Sequence, residues 1–169
     1  MSKFKEVSPN DLNESAFRLI GKEWMLITAG TMESWNTMTA SWGAMGELWK
    51  KPVVFTFIRP TRYTLEFVER EPLFTLCFFE EKYRAALNFC GAHSGRDCNK
   101  AEKTGLTPVE VSPGTVSFEE ARLILVCRKL YFQDLKPENF IDPEIEKNYP
   151  KKDYHRMYVG EVLRVLVAQ

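Results

Sequence analysis

Three strand-like segments follow one another with no helical segment between them: residues 24–31 (WMLITAGT), 34–43 (SWNTMTASWG) and 53–58 (VVFTFI). A parallel strand pair needs a crossover of a dozen or more residues, usually a helix, whereas antiparallel neighbours need only a tight turn. The run argues against a doubly wound parallel sheet. It favours a mainly β, antiparallel architecture, closed or half-closed, with helices on the outside.

The rest of the chain fits that frame. Residues 73–79 (LFTLCFF), 120–132 (EARLILVCRKLYF) and 157–167 (MYVGEVLRVLV) read as further strands, about six in all. Gly160 within the last marks a bulge or a close approach. A helix is expected over 61–71, with Thr61 as its N-cap. Another is expected over 81–90, where Tyr83, Ala86, Leu87 and Phe89 or Cys90 share a face. Residues 11–22 read as a short helix or irregular lead-in closed by Gly21. A polar loop after Cys90 holds a short helix capped by Asp97 and ended by Gly105. The charged, proline-punctuated stretch 134–153 reads as a solvated excursion. With no repeat and no linker, residues 1–169 form a single expected domain.

Composition narrows the function classes. The chain has 23 Lys and Arg against 23 Asp and Glu, so its formal net charge is zero. A general nucleic-acid binder would carry a basic excess. No apolar run is long enough for a transmembrane helix, and the first residues, MSKFKEVSPNDLNES, lack the apolar core of a signal peptide. The expected compartment is the cytoplasm. Cys77, Cys90, Cys98 and Cys127 include no CxxC pair, and there are only two histidines, so no metal site is expected. The cysteines read as buried reduced thiols, with Cys90 or Cys98 as the alternative, a nucleophile near the polar loop. The stock of Phe, Tyr and Trp, including Trp24, Trp35, Trp42 and Trp49, suggests aromatic surface shared between core and a homodimer interface.

Four segments are candidates for chemistry. Strand alternation places Thr37, Thr39 and Ser41 on one face and Met38, Ala40 and Trp42 on the other, core-facing side. A row of small hydroxyls suits a flat polar heterocycle or a phosphate; an ordinary strand with threonines on its wet face carries the same pattern. The hexapeptide Arg59-Pro60-Thr61-Arg62-Tyr63-Thr64 leaves a strand and enters a helix, where free N–H groups and two arginines favour an anion. The plainer reading is a capped helix with two surface arginines. Ser94, Gly95 and Arg96, with Lys100 one turn on, can also converge on an anion. Neither GxxxxGK nor GxGxxG is present, so a nucleotide here would sit in neither a P-loop nor a Rossmann site. His155, just before the last strand, is either functional or a satisfied edge residue.

Taken in order, NTMTASWG, RPTRYT, SGRDCNK with its following Gly-Leu, and DYHRMYVGEV resemble the flavin reductase-like family, over residues 24–167. That family includes NAD(P)H:flavin oxidoreductases and the electron carrier flavoredoxin. The resemblance implies an FMN-binding split β-barrel with peripheral helices, working as a homodimer with flavin near the subunit interface. It implies that Asn36, Thr37, Met38, Thr39, Ala40, Ser41 and Trp42 line the isoalloxazine and ribityl chain. It assigns Arg59, Tyr63 and Thr64 to the phosphate, together with Ser94, Gly95 and Lys100, without fixing which segment takes the phosphate and which the ring. It places His155 near the nicotinamide position of reductase members, as the catalytic candidate. Asn99 stands where the family pattern has an acidic residue beside the lysine. Two functions follow: a reductase passing electrons from NADH or NADPH to FMN, or a flavoredoxin-like carrier with tightly bound FMN and a protein redox partner.

Overall fold

The computed structural model describes residues 3–169. It is mainly β, as expected, but it has more strands than the sequence suggested. The strands are β1 (Phe4–Val7), β2 (Met25–Thr31), β3 (Ser34–Ala40), β4 (Gly43–Leu48), β5 (Lys51–Ile58), β6 (Leu73–Phe78), β7 (Pro108–Val109), β8 (Ser117–Phe118), β9 (Leu123–Asp134) and β10 (Arg156–Ala168). The helices are α1 (Ala16–Arg18), which runs on into a wide turn over Leu19–Glu23, α2 (Thr64–Arg70), α3 (Arg84–Ala92) and α4 (Lys100–Thr104).

Every strand pair is antiparallel, in the order β3-β2-β6-β9-β10-β5-β4. The long β10 pairs with β9 on one side; on the other it pairs first with β5 and then, from Val165 to Ala168, with β1. The two end strands, β3 and β4, are separated in the chain by only Ser41 and Trp42. Three peptide steps span at most about 10 Å, so the sheet has to curl until its ends meet. They meet without pairing, which leaves a seam in the barrel.

Burial explains the apolar runs. Ile27, Phe74, Leu76, Leu125 and Cys127 point into the barrel with Met38, Val54 and Tyr158. Their neighbours Leu26, Cys77, Ile124 and Val126 point outward beneath α3, which contributes Ala86, Leu87 and Cys90. Both faces of β2, β6 and β9 are covered, so alternation gives way to continuous hydrophobicity. Gly160 lies at a register shift between β9 and β10, and a Cβ there would fall 2.5 Å from the Phe74 ring. It is both the bulge and the close approach its position suggested.

Several boundaries differ from expectation. The second strand ends at Ala40, and Gly43 begins a new strand on the far side of the seam. Asn99, not Asp97, caps α4, its Oδ1 accepting from the amides of Ala101 and Glu102; Gly105 ends the helix at φ +71°, as read. α2 begins at Thr64 with Tyr63 at the cap position and no side-chain cap, so Thr61 does not serve. The 134–153 stretch is not merely a solvated excursion. Tyr149 is buried, and Phe140, Tyr149 and Tyr154 pack together against the end of the barrel. No helix among the described residues is long and apolar enough to cross a membrane.

Candidate functional site

A groove runs along the seam. One end, with a cavity of about 210 Å³, is lined by Met38, Thr39, Ala40, Ser41, Trp42, Phe57, Arg59, Arg62 and His155. The other, about 240 Å³, is lined by Asn36, Met38, Arg59, Thr61, Arg62, Tyr63, Thr64, Ala92, His93, Ser94, Gly95 and Lys100. Met38, Arg59 and Arg62 line both, so the two cavities adjoin. The seam brings β3, the end of β5, the start of α2, the loop after α3 and the start of β10 to one place. That placement unites all four sequence segments.

Of the residues implicated in binding by sequence, two lie outside the groove: Arg96, which pairs with Glu66 and lies over the Tyr63 ring, and Thr37. The Thr37 hydroxyl sits 2.7 Å from that of Thr28 and donates to the Ile27 carbonyl. Thr39 lines the groove, but its hydroxyl donates to the Leu87 carbonyl of α3. The expected open strip of hydroxyls is therefore corrected. Met38 and Ala40 point inward, as alternation predicts, but β2 takes the Thr37 donor and α3 the Thr39 donor. Trp42 is corrected as well: it lies beyond the strand, 45% exposed, with its ring 5.0 Å from that of His155.

The cationic end is built by close packing. Asn36 Nδ2 donates to Thr64 Oγ1 at 2.7 Å, tying β3 to the start of α2. A Cβ on Gly95 would fall 1.9 Å from Asn36 Oδ1, so only glycine lets the loop approach. Lys100, 5% exposed, donates to the carbonyls of Thr37 and Cys90 at 2.7 and 2.8 Å. Arg62 donates to Gly91 O at 2.6 Å. Both cations thus meet carbonyls at the C-terminus of α3, a favourable end for positive charge. Neither has a carboxylate partner among the described residues, and no Asp or Glu lines the groove. Burial lowers the pKa of each, aided for Arg62 by the neighbouring Arg59. Lys100 keeps one further N–H and Arg62 several.

Arg59 is different. Its guanidinium is 2.7 Å from Asp153, donates to Asn148 O at 2.8 Å, and lies over the Tyr149 ring. It is neutralised, and it anchors the 134–153 stretch to the groove wall. Of the two arginines, Arg62 is the one without an acid among the described residues; both were anion candidates by sequence, but the family resemblance assigned Arg59 and not Arg62 to the phosphate. Its spacing from Arg59 was legible; which of the two would find an acid was not.

His155 is 8% exposed, and its Nδ1 lies 2.9 Å from the Tyr149 hydroxyl. Burial, and secondarily Arg59, push its pKa down to about 4. Three thiols hold no reactive anion: burial raises Cys77 and Cys90 to about 11 and Cys127 further, leaving them protonated at neutral pH. Cys98 is only partly buried and donates to the Ser94 carbonyl.

Fold and groove together define an antiparallel split-barrel protein with a cationic cleft at the barrel seam. The chain belongs to the family described as flavin reductase like domain, whose model matches residues 17–169. Solved structures share the fold. An FMN-binding domain of a flavin reductases-like enzyme from Shewanella baltica is 18% identical, with a TM-score of 0.71, covering 98% of this chain and 77% of that one. Flavoredoxin of Desulfovibrio vulgaris (Miyazaki F) is 17% identical, with a TM-score of 0.68 and coverages of 96% and 78%. Nitrilotriacetate monooxygenase component B from Bacillus cereus is 19% identical, with a TM-score of 0.68 and coverages of 96% and 81%. No curated protein sequence matches the chain.

Proposed function

We propose that the chain is a single FMN-binding domain that moves electrons from NADH or NADPH to flavin. One observation carries this reading: Arg62 and Lys100 face a groove lined by no acid and have no acidic partners among the described residues. A phosphomonoester of roughly −1.5 to −2 charge supplies the missing anion. The free donors of Arg62 and Lys100, with Ser94 and the backbone at Gly95, would hold that phosphate. Asn36 and Thr64 line the same cavity, and in the adjoining one Met38, Ala40, Ser41 and Trp42 offer a surface for a flat ring beside His155. When bound, FMN supplies the hydride and electron chemistry, and the protein contributes binding, access and electrostatics. Membership in the flavin reductase-like family supports the same reading.

A visible spectrum of the purified protein tests it. Flavin absorption, or a rise in thermal stability with excess FMN, is expected. A colourless protein indifferent to FMN overturns it.

The exposure of the Trp42 indole favours a second reading, in which a carrier passes electrons between FMN and a redox protein across the open groove mouth. Anaerobic mixing of the holoprotein with NADH or NADPH separates the two. Rapid bleaching supports the reductase; bleaching by dithionite alone supports the carrier. We also propose a homodimer. Trp49, Tyr131 and Phe132 are more than two-fifths exposed, and Trp49 and Tyr131 form an aromatic pair. Light scattering at micromolar concentration should give twice the chain mass.

A further inference from the structure

The last residues of the 134–153 stretch bring Tyr149 against His155. The two rings are 5.5 Å apart and nearly perpendicular, with the phenol oxygen 2.9 Å from Nδ1. Tyr149 is 3% exposed and held by Phe140 and Tyr154. A phenol has one proton to give. Among the described residues the only acceptor for the phenol proton is Nδ1. Donation to Nδ1 satisfies this buried phenol, and it requires an Nδ1 without a proton and an imidazole N–H on Nε2. That atom has no protein partner among the described residues and is not sealed from solvent, and the ring lines the groove beside Trp42.

We propose that Tyr149 is a positioning residue: it holds His155 in the tautomer that presents Nε2–H to a carbonyl or carboxamide oxygen of the substrate bound against Trp42. The ligand's chemistry rests on the reductase reading; the tautomer does not. The electrostatics agree. The charged groups acting on His155 are Arg59, its ion-pair partner Asp153, and Arg62, and burial with the arginines outweighs the carboxylate. The ring is neutral at pH 7, so it donates from one nitrogen only.

Long-range proton–nitrogen NMR on 15N-labelled protein at pH 7 tests the tautomer without flavin, with His93→Gln removing the other histidine's signals. A protonated-type Nε2 and an unprotonated-type Nδ1 are expected. In Tyr149→Phe, which keeps the packed ring, the two signals should move toward each other as tautomers exchange. A protonated Nδ1 in the wild type, or a Tyr149→Phe spectrum identical to it, overturns the proposal. A second pair tests the donor: His155→Gln places an N–H near the Nε2 position and His155→Asn near Nδ1. NADH or NADPH oxidation should be about tenfold slower in His155→Asn than in His155→Gln, the worth of one such hydrogen bond. Equal losses overturn the donor role. A protein that binds no flavin would defeat the reductase reading yet leave the NMR result decisive for Tyr149.

Discussion

Arg59 and Arg62 are three residues apart and differ in their counter-ions: Arg59 has Asp153, and Arg62 has no acid among the described residues. Replacing Arg62 or Lys100 with Ala should therefore weaken FMN more than riboflavin, by about 1.5–3 kcal/mol for a lost charge-assisted contact. Flavin fluorescence titration measures both affinities. Lys100 also ties β3 to α3, but that structural loss would affect the two ligands alike, so the difference isolates the phosphate. Arg59→Ala should cost FMN less than Arg62→Ala does. Gly95→Ala drives a methyl into Asn36 Oδ1, and the displaced amide must give up the hydrogen bond its Nδ2 donates to Thr64. Overpacking of this kind costs about 1–3 kcal/mol, read as a fall in stability together with weaker FMN binding.

Single elements have their own weak points. The Asn99 side chain satisfies two amides at the start of α4, the helix that carries Lys100. Asn99→Ala should cost about 1 kcal/mol in urea denaturation, whereas Asp97→Ala should cost little. The bulge at Gly160 lets β10 cross Phe74, whose ring fills the space a Cβ would take. Gly160→Ala should lose about 1–3 kcal/mol, because neither the ring nor the strand can yield in a packed barrel.

Across the whole molecule the acid response has an identifiable contributor. His155 holds its proton more weakly folded, at about 4, than in an unfolded chain near 6.5. Between those values the unfolded state binds more protons, so stability rises with pH and is lost as pH falls. Above about 6.5 the group is neutral in both states and the slope vanishes. Urea midpoints from pH 7 to pH 4.5 should fall further for the wild type than for His155→Gln, which has no proton to gain. Carboxylates held low by arginines, such as Asp153 and Glu23, are lost only at more acid pH.

Local pattern in the sequence was enough to specify the antiparallel β class, the inward Met38 and Ala40, the Gly105 helix end and the Gly160 bulge. Each follows from backbone geometry or strand alternation, which act over a few residues. The same pattern could not show β1, whose four residues FKEV are a strand only because β10 extends past β5 to receive them. Nor could it show β4, created by the seam at Ser41 and Trp42. It also could not say which polar groups would be consumed. Thr37 and Thr39 lost their hydroxyls to neighbours on β2 and α3, Arg59 lost its charge to a residue 94 positions away, and Tyr149 gained His155 from a stretch that looked solvated. Hydrogen-bond partners and counter-ions are set by distance in space, and only the closed barrel establishes those distances.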